Sequence, residues 1–210
     1  YTSTSEKNRL MNEELNTVIH MVEEKGDTIT NNFGIQKNEA GAYGFILSGK
    51  AQKRFLADVY GHNKIDELKF NKKLGYNEGS ATPEQVMEYL QDKFGIYVEG
   101  REYENTKGKE INFYTAEEAY KIMILRYAIS QNSYQRYVQT TIAQNVSEET
   151  VAVIKENSEI LQGIDIMEDS IRKYVDSTYF SHIIGYTGKI SQTEYDELSK
   201  ENDQYTLNDV

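Results

Sequence analysis

One apolar helix in the middle of the chain restricts the fold more than any other feature. Thr115-Ala-Glu-Glu118 has the spacing of a capping box, which predicts a helix over residues 115–130. Residues 122–125 read Ile-Met-Ile-Leu, so their side chains point around the helix in several directions. Other parts of the chain must therefore pack against this helix on at least two sides, and we expect it to be the central packing element of the first part of the chain.

Apolar periodicity and end signals predict four more helices. Thr82-Pro83-Glu84-Gln85 combines a Thr cap, a Pro at the first helical position and a Gln two residues further on. Ser147 followed by Glu148 and Glu149 is a second clear start, because acidic residues favour the first turn. The predicted spans are residues 9–25, 50–60, 82–94 and 147–158.

Strands are predicted where β-branched residues alternate with polar ones. Two such segments are residues 138–144 and 164–172, and a short apolar run at residues 45–47 is a third. The expected fold class is α+β. A helix-rich first part, residues 1–133, precedes a part with strand-helix-strand-helix order, residues 134–210, and a soft boundary lies near residue 133.

Composition and charge exclude several classes of function. A net charge of −11 argues against nucleic-acid binding and against a surface drawn to anionic lipid by charge. The absence of Cys excludes disulfides, iron–sulfur clusters and thiolate zinc sites. None of His20, His62 and His182 is spaced three or four residues from another His, so no metal site and no cofactor is expected. The acidic pairs Glu13-Glu14 and Glu23-Glu24 are interpreted as solvated helix faces.

Two short motifs resemble those of serine acyl-enzymes. Ser170-Ile-Arg-Lys173 fits SxxK, and Ser130-Gln-Asn132 fits SxN, but no KTG occurs in the chain. A catalytic SxxK needs its Ser at a helix N-terminus, whereas Ser170 lies in a predicted strand whose positions i and i+3 face opposite sides. Both matches are interpreted as coincidence, so no catalytic residue is predicted.

Two other functions stay open at this point. A stand-alone exported binding module with a Tyr-lined groove is one, since the chain has 17 Tyr. An enzyme with a carboxylate pair is the other, although no fixed spacing of acids supports it.

Residues 126–166 and 170–191 resemble the dimerisation, or pedestal, domain of class B penicillin-binding proteins. The matching elements are the Arg126-Tyr127 segment, Arg172-Lys-Tyr174 and the run Ser181-His-Ile-Ile-Gly-Tyr-Thr-Gly188. Gln162 and Val175 stand where the family usually has prolines. The N-terminal helix is similar to the one after the membrane anchor in elongation-type members.

The resemblance implies a non-catalytic part of a peptidoglycan D,D-transpeptidase. It implies a parent with one N-terminal membrane helix, on the extracytoplasmic face of the bacterial membrane, with its catalytic domain following residue 210. The pedestal would hold the transpeptidase away from the membrane and contact a polytopic SEDS-type glycosyltransferase, and a homodimer is compatible with it. Membrane attachment would come only through the N-terminal helix that this chain lacks.

Overall fold

The structure, a computed structural model, describes residues 3–38, 41–103, 110–132 and 138–168. The chain divides into two compact units, Tyr1–Ile166 and Met167–Val210, and residues 167 and 168 are the described part of the second. Within the described ranges, no helix is both long and apolar enough to cross a membrane. The organisation into residues 1–133 and 134–210 stays a prediction.

All five predicted helices are present, with bounds within a few residues of the expected ones. They are α1 Thr4–Glu24, α2 Gly49–Tyr60, α3 Pro83–Phe94, α4 Ala116–Gln131 and α5 Glu148–Glu156. Both predicted capping boxes form, at Thr82 with Gln85 and at Thr115 with Glu118. The start of α1 is earlier than expected, because the Ser3 hydroxyl accepts a hydrogen bond from the backbone N–H of Glu6 at 3.2 Å.

Among the described residues, the strands form three short pairs, which together with the helices make the predicted α+β class. The antiparallel pairs are β1 Ile35–Lys37 with β2 Tyr43–Phe45 and β3 Phe70–Asn71 with β4 Tyr76–Asn77; β5 Tyr97–Val98 and β6 Phe113–Tyr114 are parallel. Strand β2 ends at Phe45, two residues earlier than the predicted run, and Ile46 is exposed.

Helix α4 is the centre of the main hydrophobic core, as predicted. Ile122, Met123, Ile124 and Leu125 are all buried, between 0% and 3% exposed. Helices α1 and α3 and the β5–β6 pair contact α4 from different sides. Since buried residues occur all around α4, the core has several layers and does not depend on one amphipathic face.

A buried amide joins α1 to the end of α3. Helix α3 ends at Gly95, whose φ of 64° is in the left-handed region that favours glycine. Asn12 on α1 is fully buried and donates from Nδ2 to the carbonyl oxygens of Phe94 and Gly95, at 3.0 and 3.1 Å. These bonds satisfy carbonyls at the C-terminal end of α3, so α1 caps α3 through a side chain.

A second, smaller hydrophobic cluster lies on another face of α1. It consists of Val18 and Val22 from α1 together with Ile154 and Leu161, and partly buried Ile164 and Ile166 pack against it. Leu161 is buried, whereas its neighbour Ile160 is 64% exposed, so Leu161 faces the cluster and Ile160 faces solvent.

The predicted strand at residues 138–144 is wrong. The segment is irregular, and its β-pairing consists of one isolated antiparallel bridge between Ile29 and Ala143. Beside this bridge, the backbone N–H of Thr30 donates to the carbonyl of Ile142 at 2.7 Å. A strand needs a partner along its length, and here the partner spans only two residues. Alternation of side chains therefore did not predict a β-ladder here.

The predicted strand at residues 164–172 is wrong over its described part. Residues 164–168 are irregular, and the Asp165 carboxylate accepts a local hydrogen bond from the backbone N–H of Ile166 at 2.8 Å. Such a local bond competes with strand pairing. Residues 169–172 lie outside the described residues.

Candidate functional site

The two histidines in the described residues each pair with a glutamate. His20 Nε2 lies 2.8 Å from Glu118 Oε1, and His62 Nε2 lies 2.7 Å from Glu78 Oε2. In the described part of the chain, no three His, Cys, Asp or Glu side chains group together to hold a metal ion. His182 lies outside the described residues.

Glu78 is the most buried carboxylate among the described residues. It is 4% exposed and accepts hydrogen bonds from His62 and, at 2.8 Å, from Asn71 Nδ2. The backbone N–H of Lys69 is a third, longer donor at 3.5 Å. Burial acts to raise the pKa of Glu78, but the bonds from Asn71 and His62 outweigh it and hold the pKa below its usual value.

Three tyrosines pack beside Glu78 and stay neutral. The Tyr60 and Tyr76 hydroxyls are 3.2 Å apart, and the Tyr60 and Tyr89 ring centroids are 4.8 Å apart. Burial raises the pKa of all three phenols. The bond between His62, which follows α2, and Glu78, which precedes α3, is a bracket that fixes the chain between the two helices, and the tyrosine rings pack around Tyr60.

Glu118 joins the start of α4 to α1. Its carboxylate accepts from the Thr115 hydroxyl and N–H, at 2.7 and 2.8 Å, and it also binds His20 and Asn16 of α1. The hydrogen bonds from Thr115 dominate and lower the pKa of Glu118 to about 2. The capping carboxylate is therefore also an interhelical contact.

Asp27 joins the end of α1 to the start of α5. Its Oδ2 accepts from the Thr150 hydroxyl at 2.5 Å and from the N–H and hydroxyl of Ser147, both at 2.8 Å. The Thr150 bond is the main cause that holds the pKa of Asp27 below its usual range. Ser147 also caps α5 by accepting from the N–H of Thr150, so the Asp27 carboxylate completes that cap.

The SxN match at residues 130–132 is the end of a helix. Ser130 Oγ donates to the carbonyl of Tyr127 at 2.7 Å, and Asn132 Nδ2 donates to the Thr140 hydroxyl at 2.9 Å. An acyl-enzyme serine instead needs a hydroxyl available to a general base. Ser170 and its SxxK match lie outside the described residues.

Other polar contacts were missed by the sequence analysis. Arg126 is 8% exposed, its Nη2 donates to Asn8 Oδ1 at 2.6 Å, and burial lowers its pKa to about 10. Glu23, interpreted as solvated, accepts from Lys121 Nζ at 2.8 Å, so that interpretation is wrong for this residue. The position of Arg126, a basic residue in the apolar stretch of α4, was the signal that could have predicted a buried polar contact there.

The polar residues thus form brackets between helices. A search of curated proteins found no match to the chain. A sequence model of the penicillin-binding protein dimerisation domain matches residues 2–210 and confirms the resemblance. The chain therefore belongs to the penicillin-binding protein dimerisation domain family, a non-catalytic part of penicillin-binding proteins.

Proposed function

We propose that this domain is the pedestal that positions the transpeptidase domain of a serine-type peptidoglycan D,D-transpeptidase, on the extracytoplasmic face of a bacterial membrane. The observation that carries the proposal is the multi-sided burial of α4 within a domain of this family. A helix covered from several sides resists bending, because a close-packed core deforms little. Such a core suits a part whose task is to hold another domain in place.

The bracketing carboxylates support the same role. Asp27 and Glu118 each connect elements that are about a hundred residues apart in the sequence. Asp27 lies 120 positions from Ser147, and Glu118 lies 98 positions from His20. Hydrogen bonds to ionised carboxylates are stronger than neutral ones. They add direction to apolar packing, so the helices keep a fixed mutual arrangement.

The proposed partners are a polytopic SEDS-type glycosyltransferase and a second copy of the domain. The test is co-purification of the full transpeptidase, tagged, with the glycosyltransferase of the same cell. We expect the two to co-purify, and Leu125→Ala to weaken the complex while the catalytic domain still reacts with a fluorescent β-lactam. Ile160→Ala, at an exposed position, is the control. Absence of the glycosyltransferase from the wild-type preparation would contradict the partner assignment.

The domain alone should not react with β-lactams. Incubation of the purified chain with a fluorescent β-lactam should leave it unlabelled, since its family is non-catalytic and Ser130 closes a helix end. Covalent label on Ser170 would overturn the pedestal proposal.

The tyrosines do not favour the alternative of a Tyr-lined binding module. Many described tyrosines lie in contact with other rings: Tyr43, Tyr60, Tyr76, Tyr89, Tyr97, Tyr103, Tyr120 and Tyr127. Ring contacts of this kind stabilise a fold and do not require a ligand.

A further inference from the structure

Positive charge is concentrated in one stretch of an otherwise acidic chain. Residues 50–73 contain seven Lys or Arg and three Asp or Glu, whereas the whole chain has a net charge of −11. The stretch covers α2, the following turn and strand β3. A local surface with net positive charge attracts anions whatever the overall charge, because exposed charges act over about 10 Å at 0.1 M salt.

The end of this stretch is a hairpin with an exposed aromatic ring. We call residues 69–76 the basic hairpin; it contains β3, a turn and the start of β4. Phe70 is 58% exposed, and Lys69, Lys72 and Lys73 around it are exposed as well. None of the three ammonium groups lies within 4.0 Å of a described carboxylate, and Lys73 interacts with Asp92 only at longer range. The hairpin therefore presents an exposed aromatic ring beside three exposed ammonium groups.

The basic hairpin is held rigidly from within. Asn71 Oδ1 accepts from the N–H groups of Lys73 and Leu74, at 3.0 and 3.3 Å, and the Asn71 carbonyl accepts from Gly75 at 2.8 Å. Asn71 Nδ2 donates to buried Glu78. Gly75 takes a φ of 79°, which glycine adopts without strain. The tip is thus ordered before any partner arrives, which lowers the entropy lost on binding.

We propose that the basic hairpin docks on the surface of a bilayer that contains anionic phospholipid. The three lysines contact headgroup phosphates, and the Phe70 ring enters the interface between headgroups and acyl chains. Charge complementarity selects the anionic lipid. The exposed ring favours a bilayer over a soluble polyanion, because a polyanion satisfies the lysines and leaves the ring in water. This contact goes beyond the pedestal role and is separate from any membrane-spanning anchor.

A single-tryptophan variant tests insertion of the ring. The chain has no Trp, so Phe70→Trp introduces one reporter at the hairpin. Phe113→Trp is the matched control, since Phe113 is 51% exposed on a different strand. With vesicles of phosphatidylcholine and phosphatidylglycerol, we expect a blue shift for Phe70→Trp and none for Phe113→Trp. Neither variant should shift with phosphatidylcholine alone.

Charge removal tests the lysines. The triple variant Lys69→Gln, Lys72→Gln, Lys73→Gln should bind the anionic vesicles about a hundredfold more weakly in a flotation assay, since each lysine near such a surface contributes about fivefold. The control set is Lys50→Gln, Lys53→Gln and Lys64→Gln, which removes equal charge from a groove of ≈ 650 Å³ beside α2. We expect the control set to lose less than the hairpin set.

Three results would overturn the proposal. Equal loss in both triple variants would mean that overall charge, not the hairpin, governs binding. An equal blue shift at Phe70 and Phe113 would mean that contact with vesicles is not specific. Binding to soluble polyphosphate without a Phe70→Trp shift on vesicles would assign the lysines to a soluble anion. Thermal unfolding of each variant verifies that it is folded before binding is measured.

Discussion

The core around α4 and the cluster beneath α5 differ in how many structural elements cover their buried residues. Helix α4 contacts α1, α3 and the β5–β6 pair, and its core cluster also includes α2 residues. The second cluster has four fully buried residues, from α1, α5 and the turn after α5. A residue in the first set is covered by several helices and strands, whereas one in the second is covered by two helices and irregular segments. The two regions should therefore respond differently to the same truncation.

Leu125→Ala is the change with the largest expected effect. Leu125 is 1% exposed in the main core, and truncation of such a residue costs about 2–5 kcal/mol because it leaves a cavity. For a unit of this size, the loss corresponds to a fall in Tm of about 4–20 °C. Ile160→Ala, at an exposed position, should change stability by less than about 0.5 kcal/mol. An unchanged Tm for Leu125→Ala would mean that α4 is not the centre of the core.

Ile154→Ala addresses the second cluster. Ile154 is 5% exposed, but fewer elements surround it, so the site can collapse and the cost should be near the low end, about 2 kcal/mol. We expect faster hydrogen exchange in α5 while α4 stays protected, because small clusters open locally. Equal deprotection of α4 and α5 would show that the two clusters unfold together.

Helix starts could be predicted from the sequence because their signals are local. The hydrogen bonds of the caps at Thr82, Thr115 and Ser147 each join residues three positions apart. The burial around α4 followed from four consecutive apolar residues on one helix. These features depend on neighbours in the chain, so one sequence contains most of the information needed.

Strands and brackets could not be predicted in the same way. The segment at 138–144 has the right alternation, but a ladder also needs a partner strand, and the fold places only residues 29–30 beside it. Asp27 meets Thr150 across 123 positions, and no spacing rule connects them. The Glu78 bracket likewise depends on a hairpin turning back on itself. Long-range contacts belong to the packed fold and not to any local pattern.

Glu118→Gln compares charge with capping in the main core. Gln at this position still completes a capping box, so the change removes mainly the charge and the bond to His20, at about 1 kcal/mol. The folded pKa of Glu118 is about 2, against an ordinary value of 4.5. The unfolded chain therefore binds more protons between these values, so the stabilisation is complete above 4.5 and is lost as the pH falls towards 2. The difference in urea midpoint between wild type and variant should shrink over that range. A difference that is constant with pH would contradict the role of the charge.

Asp27→Asn has the smallest expected effect and tests the junction of α1 with α5. Asn retains one acceptor oxygen, but its amide cannot accept from all three donors of Ser147 and Thr150. We expect faster exchange of amides in the first turn of α5 and no change in α4. Because the folded pKa of Asp27 is lowered, its contribution to stability is present above the ordinary Asp value of 3.8 and is lost as the pH falls through the folded pKa. Acid should therefore loosen α5 in the wild type and not in the variant.

Thr150→Val removes the hydroxyl partner at nearly constant shape. The double variant should lose less stability than the sum of the two single changes, since both delete one interaction. Strict additivity would mean that Asp27 and Thr150 act independently.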